Sequence, residues 1–503
     1  MSFRAFAARA VHVANWSSRS RSNLPMAQSI KVPSLLSVRP LSTEATNIRE
    51  LPGDEKDDVV FGSRYGLRTV MLNRPEKLNS LNASMIRKIV PRLIEWEKSD
   101  MANIVVMKGT GEKALCAGGD VVALAQYNQE SREGWKKSVD YFGLEYKLDH
   151  YIATYRKPYI AFMDGITMGG GVGLSIHAPF RIATEKTVFA MPETSIGFFP
   201  DVGASFFLPR MNGAVGTYLA LTSQRLTGPS VFYSGVATHY IHSTSLPDLE
   251  CRLAELRFRD DDSLPDRLAI INDTLEEFCT GLPYDQPMQL SGAVRQAIDR
   301  CFGKNNMKDV VAALKEEGDE TKKWARETLS TLRRRSPTAL HVTLRQMHVG
   351  GKWDIAEAFN KEYQIASKFM QHKDFTEGVI ALLVDKREPR WRFGMVDAVP
   401  ASENIAKPFL DFEKGQALQL FTDRTYSEYP FQKLGVPTEK EIKAVVKGNS
   451  YTPQEAVRTI VASRNGRQGI ADVVNEVMSR KTAIDDQGKV KWVDNYSPAS
   501  SRL

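Results

Sequence analysis

The stretch GITMGGGVGL, residues 165–174, holds five glycines in ten positions. Glycine loses more backbone freedom on folding than any other residue, so this density must serve something only a bare backbone can do. Two phosphate cradles fail on spacing. A P-loop needs Lys, then Ser or Thr, after its final glycine, whereas Gly170 is followed by Gly171 and Val172. A dinucleotide fingerprint read from Gly169 finds Gly171 in register but Leu174 where the third glycine belongs. The strand-like YIAFMDG (159–165) precedes the glycines, and small and apolar residues follow them. That order predicts a strand, a tight turn and a buried helix. The first N–H groups of such a helix have no partner within it. A carbonyl oxygen can approach them closely, and their hydrogen bonds strengthen as it becomes an oxyanion. Close helix packing is the other use for such glycines, and this stretch alone does not choose.

A second bare turn, ALCAGGD (114–120), also follows a predicted strand and leads into a predicted helix. Oxyanion holes commonly take two main-chain donors from separate segments, each contributing a factor of about 100 to 1,000 in rate. A third element, AMPETSIGFFPDVG (190–203), sets Glu193 and Asp201 in an apolar loop punctuated by Pro and Gly. Desolvation raises a carboxyl pKa toward useful acid–base values, and two acids in different environments can divide the roles. Taken alone, Glu193 reads more readily as a helix-start or loop-anchoring acid.

The rest of the chain falls into blocks. Residues 1–42 carry six basic residues and no acid, are rich in Ser and Ala, and read as a mitochondrial transit peptide, with a plain basic tail as the alternative. Without that segment, 61 basic residues face 60 acidic ones, so the net charge of +7 makes no case for nucleic-acid binding. Strand-like TVMLN (69–73), NIVVMKG (103–109), FRIAT and VFAMP alternate with helical patterns across 57–250, which predicts an α/β core. Asn82 is the expected N-cap of the helix over NASMIRKIVPRLIEWEK, in which Pro91 is a candidate kink. Residues 251–400 read as helical, and Arg333, Arg334 and Arg335 fit a helix C-terminus better than a phosphate or RNA site. Residues 401–503 mix turns with short amphipathic helices, two of them opened by the capping boxes TEKE and TPQE. The four cysteines are scattered without a C-x-x-C pair, and no apolar run is long enough to span a membrane.

KALCAGGD, GITMGGGVGLS and FAMPETSIGFFPDVG, in this order, resemble the crotonase (enoyl-CoA hydratase/isomerase) superfamily. NRPEKLNSLN (73–82), RIATEKTVFAMPET (181–194), RRSPTALHVTLRQM (334–347) and DFTEGVIALLVDKREPRW (374–391) resemble its 3-hydroxyisobutyryl-CoA hydrolases, and the likeness covers about 57–395. The resemblance implies a spiral of ββα repeats with helices packed at one end, followed here by an additional C-terminal extension. It implies that the amides of Gly119 and Gly170 form the oxyanion hole and that Glu193 is the principal catalytic carboxylate, as base or as nucleophile. Asp201 then binds the substrate hydroxyl region and assists proton transfer, Glu145 contacts substrate, and the loop at Lys77 and Leu78 lines the CoA entrance through its backbone. It further implies an acyl-CoA substrate, no metal or other cofactor, a mitochondrial matrix location in valine breakdown, and possible trimers or hexamers. Crotonase hydratases carry a second glutamate in a G-G-G-x-E pattern. This chain has Gly173 there, which favours hydrolysis over hydration or isomerisation. Relatives of this hydrolase family also occur as a protein of the mitochondrial ribosomal small subunit, and the extension 401–503 suits an attachment role.

Overall fold

In the computed structural model, residues 42, 47–400, 404–413 and 415–494 are described. The transit-like segment, Ser42 apart, and the tail beyond 494 lie outside them. Between 59 and 240 lie strands β1 (Val59–Arg64), β2 (Leu67–Leu72), β3 (Ile104–Gly109), β4 (Ala114–Cys116) and β5 (Tyr159–Met163). They are followed by β6 (Ile166–Met168), β7 (Phe180–Ala183), β8 (Val188–Ala190), β9 (Leu226–Thr227) and β10 (His239–Tyr240). One sheet has the order β1-β2-β3-β5-β7-β10 and is antiparallel only at β1–β2. The second has the order β4-β6-β8-β9 and is antiparallel only at β8–β9. Each of the pairs β3/β4, β5/β6 and β7/β8 sends its first strand to the large sheet and its second to the small one. Helices close the repeats: α1 (Ala83–Lys98) after β2, α2 (Val121–Glu130) and α3 (Trp135–Ala153) after β4, and α4 (Gly170–Ile176) after β6. This is the expected spiral of ββα units.

Local chemistry explains the elements. All five side chains of β5 are buried, as a parallel strand covered on both faces requires. The Asn82 side chain accepts the Met85 N–H at 2.8 Å, and α1 then buries Ile86, Ile89 and Leu93. The helix runs through Pro91 without ending. One element is absent from the sequence reading. YIAFMDG does not run directly into the glycines; the chain turns at Gly165 (φ +85), enters the second sheet as β6, and only then reaches α4. Three residues are too few to show a period.

From 246 onward the chain is mainly helical, including α5 (Pro337–Gly350) and α6 (Ile355–Met370). Arg333 pairs with Asp397 at 2.5 Å, and Arg335 Nη2 donates to the Thr222 carbonyl, so that run is a helix end tied into the protein. The extension forms α7 (Glu439–Gly448), α8 (Pro453–Ala462) and α9 (Ile470–Lys481). Both expected capping boxes are formed. A hairpin of Thr482–Ile484 with Val490–Trp492 follows, too short to be read from sequence. Ile442, Ile460 and Val474 of the extension join the same apolar cluster as Ile89, Leu174 and Phe359. Among the described residues no helix is long and apolar enough to cross a membrane.

Candidate active site

The two bare turns meet. A Cβ placed on Gly170 would stand 3.4 Å from the Gly119 nitrogen and 2.5 Å from Glu145 Oε1. One placed on Gly169 would lie 3.2 Å from Glu193 Oε1 and 3.4 Å from the Gly118 Cα. Gly169 also has φ +46, where a side chain is strained. The first turn is fixed from both sides: the Leu81 N–H donates to the Gly118 carbonyl at 2.8 Å, and the Asp120 N–H to the Leu81 carbonyl at 2.9 Å. Gly170 is the first residue of α4, so its N–H has no helical acceptor. Neither the Gly119 nor the Gly170 N–H finds a partner among the described residues. Gly171 serves the other purpose, since a Cβ there would strike the Cys116 carbonyl of β4. The close-packing reading of the glycine run holds at Gly171, while the unpartnered N–H groups that the other reading asks for stand at Gly119 and Gly170.

Four carboxyls surround this point. Glu193 (5% exposed) opens a short turn after β8, closed by the Phe198 N–H donating to its carbonyl at 3.0 Å. Asp201 (4%) follows eight residues on and accepts a hydrogen bond from the Tyr146 hydroxyl at 2.6 Å. Glu145 (2%) and Asp149 (0%) come from α3. Glu193 Oε2, Glu145 Oε1 and both Asp149 oxygens have no hydrogen-bond partner. Among the described ion pairs none involves these four acids. Burial, then repulsion from Asp201, lifts both Glu193 and Glu145 well above the usual carboxyl range. Burial pushes Asp201 up to about 7, against the hydrogen bond from Tyr146. The desolvation read from the apolar loop is thus present.

The helical region positions the Asp201 loop. Glu362 of α6 accepts the Gly203 and Ser205 N–H groups at 2.7 and 2.8 Å, and Gln346 of α5 donates to the Pro200 carbonyl at 2.9 Å. Burial pushes Glu362 up to about 8. Sequence reasoning missed Tyr146, Asp149, Gln346 and Glu362. The first two left a trace, because YFGLEYKLDHYIA puts acids inside an apolar helical stripe; the last two left none.

Lys77 and Leu78 lie on the turn beside Gly119, where the Ala117 N–H donates to the Leu78 carbonyl at 3.0 Å. The N–H groups of Lys77 and Leu78 are themselves taken by Arg74 and Pro75 carbonyls. What this turn offers outward is the Lys77 side chain, which lines a cleft of about 740 Å³ with Asp120, Tyr141 and Lys147. Asp120, which lines the cleft, directly follows Gly119, and the hydroxyl of Tyr141, which also lines it, stands 2.8 Å from a Cβ built on Gly119, so the cleft wall borders the first bare turn. On α4, a Cβ at Gly173 would meet Asp149 Oδ2 at 2.5 Å and Val202 Cβ at 2.8 Å. The space a second α4 acid would need is already filled from α3 and the Asp201 loop.

A spiral of ββα repeats with two converging amides beside buried acids defines a class, and the comparisons agree. Residues 67–409 match the enoyl-CoA hydratase/isomerase family, and the chain belongs to it. It is 55% identical over 466 residues to the small ribosomal subunit protein mS47 of Neurospora crassa, covering 90% of this chain and 92% of that one. It is 42% identical over 361 residues to the mitochondrial 3-hydroxyisobutyryl-CoA hydrolase of Gallus gallus, covering 71% and 89%. Among solved structures, a carnitinyl-CoA dehydratase from Mycobacterium thermoresistibile superposes with a TM-score of 0.62 at 30% identity, over 72% of this chain and 98% of that one.

Proposed function

We propose that this chain hydrolyses the thioester of 3-hydroxyisobutyryl-CoA to 3-hydroxyisobutyrate and CoA in the mitochondrial matrix. The observation that carries the reading is the meeting of the Gly119 and Gly170 turns beside Glu193 and Asp201, with no acid at position 173. The thioester is already an activated acyl group, so holding its oxygen and presenting a nucleophile is mostly position and electrostatics. CoA enters by the cleft past Lys77. The acyl oxygen accepts the two free amides, and Glu193, raised by burial, serves as base toward water or attacks the carbonyl itself. In the direct route, Glu193 takes the water proton as the C–O bond forms. The C–S bond then breaks, Asp201, poised near neutrality, gives its proton to the thiolate, and the proton that Glu193 took from water is passed back to Asp201, so both acids are reset as acid and thiol leave. Glu145 lies against Gly170 and contacts the acyl group. The test is thiol release by the purified chain. Glu193→Gln and Asp201→Asn are each expected to lose at least about 100-fold, as for losing an acid–base group. Robust hydration of crotonyl-CoA with no thiol release overturns the reading.

A second role is favoured by one observation. The Neurospora crassa alignment spans 90% of the chain, so it extends well past residue 409, where the family match stops. The alignment to the hydrolase covers 71%. We propose that the extension attaches the protein to the mitochondrial ribosomal small subunit. Co-sedimentation of the chain with that subunit in mitochondrial lysate is the expected result; a wholly free pool rejects it.

A further inference from the structure

Asp149 is the one carboxyl of the cluster to which the proposed reaction gives no task. It is fully buried, and neither oxygen has a hydrogen-bond partner. A buried polar group left in that state bears its full desolvation penalty, larger when charged, so it calls for an explanation. Its placement supplies one. Glu145 and Asp149 are four residues apart on α3, so their side chains leave the same face with Cβ atoms about 5–6 Å apart. Opposite them on α4 stand two bare positions. Glu145 Oε1 lies 2.5 Å from a Cβ built on Gly170, and Asp149 Oδ2 lies 2.5 Å from one built on Gly173. Two carboxyls are therefore pressed against the glycine positions of α4, with no cation paired to them among the described residues.

We propose that Asp149 is a positioning residue for Glu145: the two carboxyls act as one unit that holds a single proton between them, directly or across one water. The groups facing the pair do not supply that proton. Cys116 of β4 is pushed up to about 12 by burial, and burial lifts Tyr141 and Tyr146 on α3 and Tyr159 on β5 well above the usual tyrosine range, so all four stay neutral; of these, the Tyr141 hydroxyl also hydrogen-bonds Glu145 and keeps its own proton. Asp201, Glu193 and Glu362 are acids that repel a second charge. With one proton shared, the pair carries one negative charge and its other member is a donor. Glu145 then stays anionic or proton-bearing according to what docks on Gly170. Asp149, out of reach of solvent, keeps that proton inside.

Infrared spectroscopy of the full chain at neutral pH tests this by counting protonated carboxyls. Asp149→Asn, Glu145→Gln and the double variant are close to isosteric, and an amide donor can hold the remaining partner as a carboxylate. The expected result is non-additive: each single variant loses one protonated-carboxyl band, and the double variant loses no more than either. Two bands lost in the double variant, no band lost in any, or a loss confined to Asp149→Asn would each overturn the pair. A second measurement rests on the hydrolase reading: the pH profile of kcat/KM for thiol release shifts in Asp149→Asn. A chain that releases no thiol yet shows the single-proton pattern sinks the hydrolase reading and leaves the pair standing.

Discussion

At Gly170 one missing side chain serves two neighbours. A methyl group there would press on Glu145 Oε1 and stand 3.4 Å from the Gly119 nitrogen, in the space that the proposed hydrolysis gives to the acyl oxygen. Gly170→Ala keeps the N–H but blocks approach to it, and is expected to cut thiol release by about 100- to 1,000-fold, on the order of losing one oxyanion donor. Far-UV circular dichroism should stay native, because the colliding carboxylate end can move. Asp201 makes a prediction of the opposite kind. Its pKa is raised by burial, so the folded state binds its proton more tightly than the unfolded state does. The resulting instability is absent while both states are protonated. It grows as pH rises through the unfolded value near 4 and is complete above about 7, at up to about 1.4 kcal/mol for each pH unit between those two values. Asp201→Asn, which keeps an acceptor for Tyr146, is therefore expected to raise Tm at pH 8 and to leave it nearly unchanged at pH 4. Equal shifts at both pH values would contradict this. A variant that gains stability as it loses activity is the mark of a strained functional acid.

At the scale of elements, α3 carries two of the four acids, and the extension holds its end. Arg424 makes a two-pronged ion pair with Glu97 at 2.7 and 2.9 Å and donates to the Thr154 carbonyl, where α3 stops. His150, one residue from Asp149, donates through Nε2 to the Arg424 carbonyl at 2.9 Å. A cation at a helix C-terminus also meets the negative end of its dipole. Arg424→Met should lower stability by about 1–3 kcal/mol, because it leaves the partly buried Glu97 carboxylate with only the Tyr151 hydroxyl and the Arg156 N–H as partners. Thermal unfolding will show it, and adding Glu97→Gln should recover part of the loss. None of this was legible beforehand, since 424 and 97 are joined only by the fold. What was legible follows from local rules. The α1 cap, the two capping boxes and the β-branched strands need only neighbours a few residues away. The glycine turns and the Glu193–Asp201 loop were visible because their chemistry is concentrated in contiguous stretches. Glu145 was the marginal case: an acid on a helix is usually solvated, and only the tertiary packing of α3 against α4 shows that this one is not.

Over the whole molecule, the extension is part of the core rather than an appendage. Phe421, Ile442 and Val474 are fully buried, and Arg467 ties to Glu276 and to the Thr238 carbonyl beside β10. Glu439 receives both Arg295 of the helical region, at 3.2 Å, and Arg480 of α9, at 2.7 Å. The family match ends at 409, so these contacts are made by a part of the chain that lies beyond it. Truncation after residue 409 would expose the apolar side of the family fold and leave the partly buried Glu97 and Glu276 without their arginines. Each stranded acid costs a few kcal/mol, against a total stability of about 5–15 kcal/mol for a typical domain. The truncated chain is therefore expected to be recovered mainly as aggregate, measured by soluble yield and size-exclusion chromatography. A soluble truncation with the Tm of the full chain would mean that the extension merely rests on the fold. It would then be free to serve only as an attachment surface.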